Sequence, residues 1–304
     1  MYDVIVIGAG PAGMTAAMYA ARAQLKVMMI EQGAPGGMMN STDIIENYPG
    51  FLSIKGMELG EKMYENTKRD GVIHQYGIVE EVIDLTDKKQ VKTTEATYEA
   101  KVVIIATGCN HRLLNVEGEE KYSGRGVSYC AVCDGMFFKD RHVVVVGGGD
   151  SAIEEGTYLT QLASHVTVIH RRDQLRAKQD LQKLAFENEK MSFVWNSVVE
   201  EIIGDGMKVT GVKVYNKETK ETTMIDADGV FIYIGMTPNT QMVNSLNICT
   251  EQGWIKTNER METSCPGIYA VGDVRDKELR QVTTAVGDGT IAGQEAFNEI
   301  KVLH

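Results

Sequence analysis

The chain has 304 residues, of which 43% are apolar and 24% charged. That is room for about two domains of roughly 150 residues with an ordinary globular make-up, which excludes disordered, collagen-like and coiled-coil classes. Its 31 basic and 42 acidic residues leave a net charge of −11, which opposes a nucleic-acid role while permitting a local phosphate site. No apolar run approaches the ~18 residues of a membrane span, and five scattered cysteines are too few for a disulfide-stapled scaffold.

Met1-Tyr2-Asp3 leads directly into Val4-Ile5-Val6-Ile7, without the basic and apolar segments of a secretion signal. A cytoplasmic location is therefore expected, where a Cys-x-x-Cys is more often catalytic or metal-binding than structural. Val4–Ile7 reads as a buried parallel strand. Gly8-Ala9-Gly10-Pro11-Ala12-Gly13 follows and matches G-x-G-x-x-G, then the small-residue stretch 14–22 reads as a helix. A second strand, Lys26–Ile30, ends in Glu31. Gly8 permits the tight turn, Gly10 lets a pyrophosphate approach the backbone, and Gly13 allows close helix packing. Glu31, 18 residues after Gly13, is placed to hydrogen-bond ribose hydroxyls. A glycine motif alone is weak evidence; strand, turn, helix, strand and acid together are strong.

Residues 72–108 read as a small antiparallel meander that ends in the apolar strand Val102–Ile105 and Ala106-Thr107-Gly108. Beyond it stands Cys130-Ala131-Val132-Cys133-Asp134. Closing so short a loop stabilises by only about 2 kcal/mol, so stapling is a weak reason for the pair. Zinc needs about four ligands, and Cys109, Cys249 and Cys265 offer no second close pair. Thiol–disulfide exchange is the reading these residues favour, and no metal site is expected.

The nucleotide pattern then recurs. His142–Val146 is a strand, Gly147-Gly148-Gly149-Asp150-Ser151-Ala152 matches G-x-G-x-x-A, Ile153–Leu162 reads as a helix and Val166–Ile169 as the next strand. Where the first pattern has Glu31, this one has His170-Arg171-Arg172, with Arg176 beyond. Arginines there accommodate a 2′-phosphate through bidentate, charge-assisted bonds, which points to NADPH. His170 either contacts that phosphate or simply closes the strand. Two dinucleotide sites imply a flavin and a nicotinamide; the first, with Glu31, suits FAD. Near the C-terminus an apolar strand runs into Gly272-Asp273, placing a carboxylate where it can meet ribityl hydroxyls.

The fold expected is α/β: two nested Rossmann-like dinucleotide-binding domains, each with a central parallel sheet and a small antiparallel β-meander. The FAD-binding domain comprises 1–112 and 242–304, and the NADPH-binding domain, with the Cys-x-x-Cys, 113–241. Gly118–Gly126 and Thr237–Thr240 are the expected hinges.

Five motifs in this order resemble the low-molecular-weight bacterial thioredoxin reductases: Gly8–Gly13, Cys130–Gly135, Gly147–Ala152, His170–Arg176, and Gly272-Asp273 followed by Arg280-Gln281. The resemblance covers essentially the whole chain. Position discriminates: glutathione-reductase-like enzymes carry their disulfide in the FAD domain, and the corresponding stretch here, Gly36–Ile45, has no cysteine. The resemblance implies FAD held by Gly8, Gly10, Pro11, Ala12, Gly13, Glu31, Gly37, Met38, Gly272, Asp273, Arg280 and Gln281. It implies NADPH held by Gly147, Gly149, Asp150, Ser151, His170, Arg171, Arg172 and Arg176. Met38 stands where the family commonly has glutamine. The resemblance also implies that Cys133 lies nearer the flavin, that Cys130 attacks the substrate disulfide, and that Asp134 moves the proton. Apart from the resemblance, Asp134 reads as a helix N-cap, and the two roles are compatible. The partner implied is thioredoxin or a thioredoxin-like protein, and the assembly a homodimer. Because the nicotinamide and the dithiol share one domain, a rotation of residues ~113–241 between two arrangements is expected. A flavin-dependent dithiol oxidase, a component of a peroxide-reducing system and a non-enzymatic redox sensor are the competing readings.

Overall fold

A computed structural model describes residues 1–85 and 87–302. The chain divides into two compact units, Met1–Asn110 with Thr237–His304, and His111–Met236. The second is thus inserted in the sequence of the first, with crossings at 110/111 and 236/237 against the expected 112/113 and 241/242.

In the first unit a sheet runs in the order Ile73–Tyr76, Val27–Glu31, Tyr2–Ile7, Thr97–Ile105, Lys89–Thr93, Val79–Asp84, and Ile268–Ala270 pairs with Thr97–Ile105. The run Val4–Ile7 is continuously apolar because both of its faces are buried. Val4 and Val6 pack with Ala16, Ala20 and Ala292, whereas Ile5 and Ile7 pack with Val82, Val91 and Val274. Thr97–Ile105 serves two partners: Thr97–Ala100 lie antiparallel to Lys89–Lys92, and Ala100–Ile105 lie parallel to the first strand. Small residues let the last helix, Val282–Val302, approach the first, Pro11–Arg22. A Cβ on Gly289 would lie 2.3 Å from the Ala12 carbonyl oxygen, and one on Gly293 2.7 Å from that of Ala16.

In the second unit the strands Val127–Ser128, Gly229–Tyr233, His142–Gly147, His165–Ile169 and Met191–Val194 form a parallel sheet in that order. Ser197–Gly204, Val209–Asn216 and Thr222–Asp226 form the antiparallel meander. The same division of faces recurs: Val143 and Val145 join Ile153 and Phe231, while Val144 and Val146 join Val199, Ile202 and Val212. The α/β class, with a parallel sheet and a meander in each unit, is as the sequence led us to expect.

Three expectations change. Ile73–Tyr76, assigned to the meander, joins the parallel sheet beside Val27–Glu31; this strand is polar and partly exposed, so no apolar run marks it. The helix expected over 153–162 spans Asp150–Leu159, because Gly149 already occupies its N-cap. Gly118–Gly126 is no hinge but lies inside the second unit. Buried Glu119 accepts hydrogen bonds from the Leu114 and Asn115 amides at 2.9 and 2.7 Å and from the Tyr129 hydroxyl at 3.0 Å. Buried Tyr122 packs there with Val127, Val209 and Val212. A glycine- and charge-rich composition conceals these anchors.

Candidate active site

The first glycine turn is dictated by close backbone approach. Gly8 has φ +103°, and a Cβ on it would sit 2.4 Å from the Ala106 carbonyl oxygen; one on Gly13 would sit 2.0 Å from that of Gly8. Gly10, the N-cap of helix Pro11–Arg22, contributes no side chain, and Pro11 fills a first-turn position whose amide has no helical partner. A Cβ on Gly10 would meet no protein atom within 4 Å, so the space above this helix N-terminus is open, the geometry an anionic group takes. Glu31 Oε2 accepts from the Ala9 amide at 2.7 Å and Oε1 from Gly33 at 2.8 Å, which fixes the carboxylate at the turn.

Distant segments complete this site. Gly37 returns against Gly10, 3.2 Å from its Cα to where a Gly37 Cβ would be, and exposed Met38 follows it. Gly272, at φ +74°, abuts Ala12 with 2.8 Å between the Ala12 Cβ and a Cβ built on the glycine. The next residue, Asp273, has a buried Oδ1 with no protein hydrogen-bond partner. Burial makes it hold its proton above the usual carboxylate range, an effect that the Lys277 and Arg280 charges partly offset. An unpartnered acceptor beside a dinucleotide turn fits the hydroxyl-bearing chain of FAD. Arg280 stacks 3.9 Å over the Trp254 ring and donates to the carbonyls of Asp273 at 3.2 Å and Arg275 at 3.1 Å. Gln281 Oε1 accepts from Asn47 Nδ2 at 3.2 Å. Asp288 was not anticipated: its carboxylate binds Arg275 at 2.9 Å, Lys277 at 2.9 Å and the Gly272 amide at 3.0 Å, holding the turn that carries Asp273. Cys109 is buried, and its thiol is pushed up to about 11 by burial and by the Asp273 charge.

The second glycine turn packs against His170. A Cβ on Gly148 would lie 2.3 Å from His170 Nδ1, and the Arg176 amide donates to the Gly148 carbonyl at 2.7 Å. His170 is buried edge-on to Trp195, and its Nε2 has no protein partner. Burial, the largest influence, lowers its basicity. Asp150 Oδ1 accepts from the Lys178 amide at 2.9 Å, tying the helix start to the segment that follows the arginines. Gly149 provides the N-cap without a side chain, and Ser151, Arg171, Arg172 and Arg176 are exposed. The Arg176 guanidinium lies 3.9 Å from where a Gly149 Cβ would be. The three arginines lie beyond the neighbouring parallel strand, His165–Ile169, which pairs with the strand that ends at the turn, and they fit a nucleotide phosphate.

Cys130 and Cys133 form a disulfide, with their Cα atoms 5.3 Å apart. Cys130 is the N-cap of the one-turn helix Ala131–Asp134, and its Sγ accepts from the Cys133 amide at 3.2 Å. Ser128, two residues upstream, donates from Oγ to Asp134 Oδ2 at 2.6 Å and accepts from the Cys130 amide at 3.1 Å. Asp134 makes no side-chain cap to the turn that follows it, so the capping alternative is not its role here. Burial holds the Asp134 proton above the usual carboxylate range, partly offset by the Ser128 bond. Tyr233 and Glu155 also reach this helix and went unseen in the sequence; nothing local marks Tyr233, which lies 102 positions from the Ala131 amide it accepts from. Among the described residues no three His, Cys, Asp or Glu side chains are grouped to hold a metal ion.

A parallel-sheet unit with a dinucleotide-type turn, interrupted by a second that also carries a Cys-x-x-Cys disulfide, defines a two-domain nucleotide–disulfide oxidoreductase. The profile of the family described as pyridine nucleotide-disulphide oxidoreductase matches residues 2–289, and the chain belongs to that family. The chain is 56% identical over 303 residues to a thioredoxin reductase of Listeria innocua, covering 100% of this chain and 95% of that one. It is 54% identical over 303 residues to a thioredoxin reductase of Bacillus subtilis, covering 100% and 96%. The crystal structure of thioredoxin reductase from Streptococcus pyogenes matches at a TM-score of 0.97, with 58% identity over 99% of each chain.

Proposed function

We propose that this oxidoreductase is an NADPH-dependent flavoenzyme that passes reducing equivalents through FAD and the Cys130/Cys133 pair to the disulfide of thioredoxin or a thioredoxin-like protein. The observation that carries this reading is the Cys130–Cys133 disulfide set in the unit that also bears the second glycine turn and Arg171, Arg172 and Arg176. The relatives named above support the choice of substrate. So does the surface beside the disulfide, where Val132, Met136 and Phe137 are 44, 57 and 54% exposed. An apolar rim of this kind suits a protein substrate.

When bound, FAD and NADPH supply two-electron transfer between a nicotinamide and a disulfide. For FAD, the turn Gly8, Gly10, Pro11, Ala12, Gly13 would hold the pyrophosphate and Glu31 a ribose. Gly37, Met38, Asp273, Arg280 and Gln281 would hold the rest, with Gly272 allowing Asp273 to approach. For NADPH, Gly147, Gly149, Asp150 and Ser151 would hold the pyrophosphate and Arg171, Arg172 and Arg176 the 2′-phosphate, with His170 backing the turn. In the dithiol form, the Cys130 thiolate attacks one sulfur of the substrate disulfide. The substrate S–S bond breaks, a mixed disulfide forms, and one substrate thiolate leaves. Cys133, as thiolate, then attacks Cys130 Sγ, closing Cys130–Cys133 and releasing the second substrate thiolate. Asp134 holds the proton exchanged between these sulfurs and solvent. A rotation of the inserted unit between two arrangements and a homodimeric assembly belong to the same proposal. No helix among the described residues is long and apolar enough to cross a membrane, and a cytoplasmic setting is proposed.

The test mixes the purified protein with NADPH, a thioredoxin-fold protein and a chromogenic disulfide, and repeats this with NADH. Thiol release driven by NADPH is expected. Its absence would overturn the reading.

A further inference from the structure

Tyr233 ends the strand Gly229–Tyr233, and its backbone lies against the second glycine turn: a Cβ on Gly147 would sit 2.5 Å from the Tyr233 carbonyl oxygen. Its hydroxyl accepts from the Ala131 amide at 2.7 Å and donates to Glu155 Oε2 at 3.4 Å. Glu155 lies on the helix Asp150–Leu159, and the amides of Ala131 and Val132 act on its carboxylate. Burial nevertheless holds its proton above the ordinary carboxylate range. The helix Ala131–Asp134 has one turn, so its first amides have no partner within it. One of them, that of Cys133, points at Cys130 Sγ, an arrangement that favours a thiolate at that sulfur. The Ala131 amide is instead engaged by Tyr233, with a carboxylate behind it.

We propose that Tyr233 and Glu155 are positioning residues that fix the first turn of the dithiol helix and bias the Cys130/Cys133 couple toward its disulfide form, making the dithiol a stronger reductant. Engaging the Ala131 amide withdraws one backbone donor from the electropositive side of Cys130. The adjacent carboxylate opposes negative charge on the sulfur. Both effects disfavour the reduced, thiolate-bearing state. The inference rests on the pair being the redox centre.

The test equilibrates the full chain in glutathione buffers of graded ratio, quenches by alkylation and weighs the products. In that reaction two glutathione thiols give two electrons and two protons to Cys130–Cys133; the dithiol and one glutathione disulfide form. Tyr233→Phe and Glu155→Gln are each expected to move the equilibrium roughly tenfold toward the dithiol, about 30 mV, at an unchanged melting temperature. The double variant should move it no further than the larger single one, because the two groups act as a unit. Glu155→Asp, which keeps the carboxylate, should stay nearer the parent. Midpoints within about twofold of the parent, or a lowered melting temperature without a shift, would overturn the inference and leave the redox assignment standing. Failure of the parent pair to exchange with glutathione at all would overturn that assignment and the inference with it. If Tyr233→Phe does not fold, Glu155→Gln decides alone.

Discussion

The Ser128 hydroxyl donates to Asp134 Oδ2 at 2.6 Å, so the carboxylate that closes the dithiol helix is held by a side chain that precedes it by six positions. Asp134 keeps its proton above the usual carboxylate range because burial outweighs that bond. A held proton of this kind is what the proposed role of Asp134 in thiol–disulfide exchange requires. Asp134→Asn should lower turnover with the protein disulfide by about 10²–10⁴-fold, measured under the assay conditions given above. Its stability effect has a definite sign. A carboxyl group whose folded value is raised contributes most below its unfolded value near ~3.9. That contribution is lost as pH rises through the higher folded value. The unfolding midpoint of Asp134→Asn should thus gain on the parent as pH increases across that window. A constant difference in chemical denaturation from acid to neutral pH would contradict the assignment.

Gly10 and Gly13 belong to one motif, yet the structure separates their roles. A Cβ on Gly13 would collide with the Gly8 carbonyl oxygen at 2.0 Å, whereas one on Gly10 meets no protein atom within 4 Å. Gly10 also has an ordinary φ of −77°. Gly10→Ala should leave the melting temperature of the flavin-free protein unchanged and weaken FAD retention, read by flavin absorbance after gel filtration. Gly13→Ala should lower the melting temperature itself. Equal effects of both on the flavin-free protein would show that the open space is not a ligand space.

Arg171 and Arg172 are exposed beyond the strand His165–Ile169, so replacing them removes charge without opening the core. Arg171→Ala with Arg172→Ala should weaken NADPH relative to NADH by at least about 100-fold, since each charge-assisted bond contributes about 1.5–3 kcal/mol. The ratio of kcat/KM for the two nucleotides is the measurement, and an unchanged ratio would remove these residues from the phosphate site.

Asp288 is 8% exposed and satisfies Arg275, Lys277 and the Gly272 amide at once. Removing one member of such a buried group leaves uncompensated charge, at a cost of about 3–5 kcal/mol. Asp288→Ala should show that loss in denaturant unfolding, together with weaker FAD retention because the Gly272–Asp273 turn loses its anchor. A loss below about 1 kcal/mol would place the group among the weak surface pairs.

Much of this site is written locally. Gly8–Gly13, Gly147–Ala152 and Cys130–Cys133 are short patterns whose spacing is itself the constraint, because a tight turn, a helix start or a one-turn disulfide leaves little choice of residue. The partners of these motifs are not local. Ala131 meets Tyr233 across 102 positions, and Gly10 and Ala12 receive Gly37 and Gly272 from other parts of the chain. Tyr233 ends the strand Gly229–Tyr233, Glu155 lies on the helix Asp150–Leu159 and Asp288 on the helix Val282–Val302, and no short spacing marks any of them. Likewise the polar edge strand Ile73–Tyr76 carries no apolar signature, and Gly118–Gly126 reads as a linker although Glu119 and Tyr122 anchor it.

By itself the sequence determined the α/β class, the two glycine turns, the exchange of Glu31 for arginines at the second strand end, and the dithiol's place in the inserted stretch. Each follows from backbone sterics, burial period or charge at fixed short spacing. Only the tertiary structure decided which side chains hold those elements in register. Tyr233 on the Ala131 amide, with Glu155 behind it, depends on a strand and a helix distant in sequence meeting at the dithiol helix. Hydrogen-bond satisfaction at that place selects the residue, and no local pattern records it.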